Sequence, residues 1–333
     1  MSVQVVIIIV LLVGAGFLVF YLIKSKMLSK EAPVDSQNRS RVLQAVKDAK
    51  AAVEREPQNA EAHYLLGKAL LADKRDEQAF RSYRSASRLG ITGQNIPEVE
   101  FRETIAGLYA RFNEAEEALK EYVVLIKMHP ENPEYYFLAG KLFSQRSRPD
   151  LAEQYLGKAA SLNPREERYR FELGMHYYLC KKVKEASGEF EAVLKLNPAN
   201  GHALLYQGKV FKDAKDYSSA VPYLEKAGRD QEYKLRALVE LGGCYMSLKM
   251  LDKAIVELER AVNVIKKESD VDSLYARYFL AMCFEKTREF HKAVAQWEKI
   301  YAQKKAFRDV GEKLTQYIEY RQGNAEKGSA GQG

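Results

Sequence analysis

The feature that most constrains this chain is a small residue that recurs at a constant interval. The interval separates successive glycines at Gly140, Gly174, Gly208 and Gly242. An alanine follows each glycine after twelve residues, at Ala152, Ala186, Ala220 and Ala254. A constant interval of about 34 residues indicates stacked supersecondary units, whereas a catalytic site has no reason to repeat along a sequence.

The alanine series continues in both directions, with two longer steps. Ala118 lies 34 residues before Ala152. The steps from Ala79 to Ala118 and from Ala254 to Ala293 are each 39 residues, five longer. The series predicts seven units, over residues 60–93, 99–132, 133–166, 167–200, 201–234, 235–268 and 274–307. The first longer step is predicted to be a loop, and the second either a loop or an extension of the flanking helices.

Each unit has the apolar spacing of two short helices. In the fourth unit, Leu173 and Tyr177 share one face of a first helix, and Phe190 and Val193 share one face of a second helix. Pro198 then ends the unit, because proline cannot continue a helix. A glycine inside a helix costs about 1 kcal/mol relative to alanine, so glycines in register predict a close crossing of the two helices.

These residues resemble the tetratricopeptide repeat, whose units carry apolar and small residues at fixed positions. The fourth unit has the family's residues at Leu173, Gly174, Tyr177, Ala186, Phe190 and Pro198. The resemblance covers residues 60–307 and implies an all-α fold, a right-handed superhelical solenoid of about seven helix–turn–helix units. The fifth unit departs from the pattern with Gln207 in its first helix and Pro222 in its second, which predicts a local kink.

The resemblance also implies a concave groove, lined by first helices, that binds a protein or peptide. Carried over position by position, the family's groove residues give Tyr64, Lys68, Phe137, Lys141, Phe171, Met175, Tyr178, Leu205, Lys209, Tyr278 and Met282. Exposed aromatic and methionine side chains bury much area and adapt in shape, which is typical of peptide-binding surfaces. The alternative is that rings such as Phe171 and Tyr178 pack on neighbouring helices. The asparagines with which some relatives clamp a terminal carboxylate are missing, so that ligand is disfavoured.

The N-terminus has the composition of a membrane span. Val3–Ile23 contains one polar residue, Gln4, and at 1.5 Å per residue is about 32 Å long, close to the thickness of a bilayer core. Residues 1–26 are therefore predicted to be a transmembrane anchor. A cleaved signal peptide is disfavoured, because a basic leading segment is missing and the apolar stretch is too long.

The charges that flank this span predict its orientation. Lysine and arginine follow the span and none precedes it, so we expect the N-terminus outside and the repeats in the cytoplasm, in a single-pass protein of the cell (inner) membrane. Residues 27–59 are predicted to be a linker with a capping helix. Residues 308–321 are predicted to be a second capping helix, and residues 322–333 a disordered tail.

Motifs of enzyme chemistry are missing from the sequence. The histidines show no metal-ligand spacing, and there is no phosphate-binding loop, dinucleotide fingerprint or nucleophile elbow. The three cysteines, Cys180, Cys244 and Cys283, lie far apart and are expected to be free thiols. We therefore predict no enzyme, no cofactor, no metal and no small-molecule substrate. Nucleic acid is not expected as a partner, because no basic stripe with interleaved aromatic residues occurs.

The sequence favours a membrane-tethered scaffold whose groove binds an unidentified partner protein or an extended peptide, with the lipid bilayer contacted through residues 3–23. The alternative is an extracytoplasmic chaperone or assembly factor for envelope biogenesis or secretion, with the repeats on the outer side of the membrane. A soluble regulator with a cleaved leader is a third hypothesis.

Overall fold

The computed structural model describes residues 38–92 and 95–318, which form sixteen α-helices and no strand. The all-α helical-repeat prediction is confirmed. The predicted anchor (1–26), the first part of the linker and the predicted tail (322–333) lie outside the described residues. Within the described ranges, no helix is long and apolar enough to cross a membrane.

The described helices comprise seven antiparallel pairs with one helix before them and one after. Helix α1 covers residues 38–55 and α16 covers residues 310–318. The pairs are α2 (Ala60–Ala72) and α3 (Asp76–Leu89), α4 (Glu98–Arg111) and α5 (Ala115–Met128), α6 (Pro133–Gln145) and α7 (Pro149–Leu162), α8 (Glu167–Leu179) and α9 (Val183–Leu196), α10 (Gly201–Asp213) and α11 (Tyr217–Ala227), α12 (Lys234–Ser247) and α13 (Leu251–Asn263), and α14 (Val271–Lys286) and α15 (Phe290–Gln303).

The chain divides into two compact units, the first ending at Pro130 and the second beginning at Glu131. In the first unit, Val46 of α1 is buried against Leu66 and Leu70 of α2, so α1 covers the apolar edge of the first pair. The second unit contains α6 to α16. There, Val310 of α16 is fully buried in the core of the last pairs.

The glycines of the repeat series lie where the two helices of a pair cross. A Cβ atom placed on Gly140 would lie 2.8 Å from Cγ of Leu156, and one on Gly208 would lie 2.6 Å from Cγ of Leu224. A methyl group at either position would overlap a fully buried leucine. The packing reason inferred from the interval is therefore present in the structure.

A three-residue turn joins the helices of every pair, and its middle residue has a left-handed backbone. These middle residues are Lys74, Asn113, Ser147, Lys181, Lys215, Lys249 and Arg288, with φ between 55° and 64°. In the α8–α9 turn, the Lys181 amide donates to the Tyr178 carbonyl and the Lys182 amide to the Tyr177 carbonyl. Left-handed geometry at this position satisfies the last carbonyls of the first helix and reverses the chain.

The irregular regions of the sequence have structural counterparts. Helix α11, which contains Pro222, has 11 residues and is the shortest of the fourteen paired helices. The second longer step partly extends a helix, since α14 has 16 residues and begins at Val271. The described residues of the first longer step, 90–92 and 95–97, are not helical.

An ion pair between a buried arginine and a partly exposed glutamate holds the second longer step in place. The guanidinium of Arg277, which is 5% exposed, donates to both carboxylate oxygens of Glu268 at 2.7 and 2.5 Å. The same guanidinium donates to Gln296 of α15 at 2.7 Å. The side chain therefore links the segment before α14 to the last pair of helices.

Candidate partner-binding site

The first helices of successive pairs lie side by side in the second unit. Helix α6 contacts α8, α10 contacts α12, and α12 contacts α14, while rings of α8 and α10 touch each other. We call the surface that α6, α8, α10, α12 and α14 present together the first-helix face. It is the surface on which the family resemblance places the ligand.

Four of the predicted groove residues are buried, so the expectation of an exposed side chain is wrong for them. They are Tyr64, Phe137, Leu205 and Tyr278, with 2%, 3%, 0% and 7% of their surface exposed. Each of the four is the fifth residue of its unit, and neighbouring helices cover its side chain. The ring of Phe137 accordingly contacts that of Tyr169 in α8 at 5.0 Å between centroids.

The three predicted groove lysines are all engaged by carboxylates. Lys68 pairs with Glu100 in the first unit at 2.8 Å. In the second unit, Lys141 lies 4.0 Å from Glu172 and Lys209 lies 3.1 Å from Glu240. Each lysine also lies over an aromatic ring of its own helix, at 5.3 to 5.6 Å from the ring centroid. The lysines therefore brace successive first helices and are not free cations.

A cluster of five half-buried rings occupies the middle of the first-helix face, and we call it the aromatic patch. Its members are Phe171 and Tyr178 of α8, His202 and Tyr206 of α10, and Tyr233 at the start of α12. The His202 ring lies 4.0 Å from the Phe171 ring and stacks on Tyr233 at 4.7 Å with an angle of 16°. Tyr206 contacts Tyr178 at 5.6 Å and His202 at 5.3 Å.

The two predicted methionines are also half-buried. Met175 packs beside the aromatic patch, against the cluster that contains Phe190. Met282 packs against the core of the last pairs. The structure thus brings together Phe171, Met175 and Tyr178 and leaves Met282 elsewhere.

Two clefts flank the aromatic patch. The first has a volume of about 680 Å³ and is bordered by Phe171, His202 and Tyr233 together with Arg165, Asn200 and Asp230. The second has a volume of about 560 Å³ and is bordered by Tyr206, Lys209, Arg236, Glu240, Asp270 and Asp272. Both clefts are large enough for amino-acid side chains.

Two titratable members of the patch, His202 and Tyr178, are held in their neutral forms. Burial, assisted by the nearby Arg236 guanidinium, lowers the pKa of His202 below its ordinary value of 6.5. Burial also raises the pKa of Tyr178, and so does the hydrogen bond of 2.6 Å that its hydroxyl donates to Asp213. At neutral pH the patch therefore presents uncharged rings.

Three members of the patch, His202, Tyr206 and Tyr233, were not among the residues predicted from the sequence. His202 is the second residue of the fifth unit, and in the family the second residue of a unit also faces the groove, so a signal for it existed. Tyr206 and Tyr233 occupy positions without such a signal. They join the patch because α10 and α12 pack beside α8, which is a tertiary effect.

The described residues contain no group of three histidine, cysteine or acidic side chains placed to hold a metal ion. Cys180 is half-buried, with its sulfur 3.7 Å from Nε2 of His176. Cys244 and Cys283 are fully buried, and burial raises the pKa of each thiol to about 11. Their thiols are therefore poor nucleophiles.

The paired helices, the three-residue turns and the glycine crossings define an α-helical repeat protein. The family profile described as "Tetratricopeptide repeat" matches residues 37–92, 104–167 and 181–234, which together exceed half of the chain. A second profile with the same description matches residues 212–296. The chain belongs to the tetratricopeptide repeat family.

Curated relatives share parts of the chain. It is 25% identical to anaphase-promoting complex subunit 3 of Schizosaccharomyces pombe over 178 residues, which are 54% of this chain and 27% of that protein. It is 33% identical to RNA polymerase-associated protein CTR9 of Caenorhabditis elegans over 84 residues, 25% of this chain and 7% of that protein. The chain thus spans less than a third of the length of these two relatives.

Solved structures share the fold. A tetratricopeptide repeat protein from Parabacteroides merdae superposes with a TM-score of 0.54 at 13% identity, over 82% of this chain and 98% of that one. PilF of Pseudomonas aeruginosa has a TM-score of 0.54 at 13% identity, over 67% of this chain and 97% of that one. At such identities the likeness concerns the fold alone.

Proposed function

We propose that this protein is a protein–protein interaction scaffold that binds a partner protein or an extended peptide on the first-helix face of its second unit. The observation that carries the proposal is the aromatic patch, five uncharged and partly exposed rings between two clefts. Aromatic anchors that become fully buried supply most of the energy of a typical protein interface. Their stacking against one another holds the rings in place before the partner arrives, which lowers the entropic cost of binding.

The relatives support this proposal. Two of the matched proteins are named for larger assemblies, one as a subunit of the anaphase-promoting complex and one as an RNA polymerase-associated protein. A scaffold needs a binding surface and no catalytic groups. This agrees with the tetratricopeptide repeat, whose characteristic residues maintain the packing of helices.

We further propose that residues 3–23 tether the scaffold to a membrane, with the repeats on the cytoplasmic side. The support is the apolar composition of this segment and the excess of basic residues that follow it. Tethering raises the effective concentration of a bound partner near membrane complexes. The second candidate, a chaperone for envelope biogenesis or secretion, places the same face on the outer side.

Site-specific photo-crosslinking tests the binding surface. A benzophenone amino acid is introduced at Tyr206, in the aromatic patch, and as a control at Val256, which is 54% exposed on the second helix α13. After irradiation in cells, we expect discrete cross-linked products from the Tyr206 position alone. We expect a second change, Phe171→Ser, to reduce them. Equal products from both positions would refute binding at the first-helix face.

Extraction and protease protection test the membrane proposal. The full chain is expected to stay with membranes after alkaline carbonate treatment, and a chain with Leu11→Lys and Leu12→Lys is expected to be released. A tag placed after Gly333 should be cleaved by added protease only when spheroplasts are opened. Cleavage in intact spheroplasts would instead support the chaperone on the outer side.

A further inference from the structure

The rings of the aromatic patch form a continuous row. Starting at Tyr178, successive centroid distances are 5.6 Å to Tyr206, 5.3 Å to His202 and 4.7 Å to Tyr233. Phe171 lies beside this row at 4.0 Å from His202. The row crosses from α8 over α10 to the start of α12, so a ligand that follows it is extended and crosses the helices.

Four cationic side chains around the row are already paired with carboxylates. Arg168 binds Glu134 at 2.6 Å, and Arg236 binds Asp272 at 3.0 Å. Lys209 and Lys212 both bind Glu240, at 3.1 and 2.5 Å. Because each of these four cations faces a carboxylate of an adjoining segment, a charged ligand gains little from them without breaking one of the pairs.

The hydroxyl of Tyr206 is an unused hydrogen-bond donor in the row. The Tyr178 hydroxyl donates to Asp213, whereas the Tyr206 hydroxyl at the centre of the row makes no hydrogen bond with any described residue. Tyr206 is half-buried, so its hydroxyl reaches solvent while its ring is packed. It can donate to a carbonyl group of a ligand that lies across the rings.

We propose that the aromatic patch binds an uncharged, proline-rich segment of a partner protein in the polyproline II conformation. This inference rests on the proposed scaffold function and adds the chemistry of the partner. A polyproline II segment has no internal hydrogen bonds, so its carbonyls are free to accept from a tyrosine hydroxyl. Its pyrrolidine rings pack on aromatic faces, and its stiffness lowers the entropy lost on binding.

Fluorescence polarisation with defined peptides tests this inference. The probe is a fluorescein-labelled peptide of proline and alanine, and the full chain is held in lipid nanodiscs. Three matched peptides carry alanine in place of every proline, lysine in place of the non-proline residues, or glutamate at those same sites. We expect the proline peptide to bind at least about tenfold more tightly than the all-alanine peptide. Its affinity should change by less than about twofold with added salt.

The variant Tyr206→Phe isolates the hydroxyl, since it keeps the ring and its packing. Removal of one hydrogen bond is expected to weaken binding of the proline peptide by about two- to tenfold. The matched control is Tyr301→Phe, at a tyrosine that is 38% exposed on the second helix α15. We expect the control variant to bind as the unmodified protein does.

Three results would overturn the inference. They are equal binding of the proline and all-alanine peptides, tighter salt-dependent binding of the lysine or glutamate peptide, and no effect of Tyr206→Phe. If the proline peptide fails while cross-linking at Tyr206 captures a partner, this inference fails and the scaffold proposal stands. If cross-linking also fails to distinguish Tyr206 from Val256, both proposals fail.

Discussion

The glycine crossings make a sharp prediction about stability in the α6–α7 pair. Replacing Gly140 with alanine puts a methyl group 2.8 Å from Cγ of Leu156 and 3.0 Å from its backbone nitrogen. Carbon atoms in contact prefer about 3.5–4.0 Å, so α7 must move. Leu156 is fully buried, and its backbone cannot turn aside as a flexible side chain can. Overpacking of this kind costs about 1–3 kcal/mol.

The same pair of helices offers a matched control. Gly157 of α7 has no atom within 4 Å of the position of an added Cβ. Both Gly140→Ala and Gly157→Ala gain the better helix propensity of alanine, worth about 1 kcal/mol. The propensity terms cancel in the comparison, so the difference in unfolding free energy between the variants equals the overlap cost of about 1–3 kcal/mol.

Urea unfolding followed by circular dichroism measures this difference, and hydrogen exchange of the α6 and α7 amides locates it. Unfolding of a repeat array need not be two-state, so the local exchange data are the decisive readout. Leu156→Ala should cost less in the Gly140→Ala background than in the unmodified chain, because it removes the overlap, with a coupling of about 0.5–3 kcal/mol. If the α6 and α7 amides are equally protected from exchange in the Gly140→Ala and Gly157→Ala variants, the overlap does not explain the glycine interval.

Three further predictions concern other parts of the chain. Hydrogen bonding to Arg277 lowers the pKa of Glu268, so this pair stabilises the fold fully above the ordinary glutamate value of 4.5 and progressively less as the pH falls through the lowered value. Because the Glu268 side chain is 43% exposed and is screened by solvent, Glu268→Gln should cost only about 0.5–1 kcal/mol at neutral pH and flatten the acid limb of a stability–pH curve, and an unchanged curve would contradict this. Lys249→Asn should add about 0.5–1 kcal/mol in urea unfolding, because asparagine tolerates the left-handed backbone at φ 61°, whereas Lys249→Val should destabilise. A maleimide reagent near neutral pH should modify Cys180 well before Cys244 and Cys283, whose buried thiols have a pKa of about 11; equal labelling by mass spectrometry would refute their burial.

The fold could be predicted from the sequence because the residues that repeat are those that helix packing requires. A glycine whose Cβ would overlap Leu156, Leu224 or Leu258 has to recur wherever two helices cross, and recurrence is visible without a structure. The extension of α14 was harder to predict, since it depends on the ion pair between Arg277 and Glu268.

The candidate site could be predicted only in part. Positions transferred from the family include Phe171 and Tyr178, which lie in the aromatic patch, and also Leu205 and Tyr278, which packing against neighbouring helices buries. A position in a repeat fixes the direction in which a side chain leaves its helix. It does not fix what the neighbouring unit places in front of that side chain. Tyr233 illustrates the converse, because it enters the aromatic patch by stacking on His202.

The left-handed turns have a consequence for how the chain is cut. In three successive pairs the middle residue of the turn is a lysine, at Lys181, Lys215 and Lys249, so these lysines recur at the same interval as the glycines. A trypsin-like protease cleaves after lysine, and exposed turns are its preferred sites. Cuts at these turns release fragments that each join the second helix of one pair to the first helix of the next. A digest would therefore yield a ladder with the periodicity of the repeat but displaced by half of a pair, so that each fragment carries only one side of every glycine crossing.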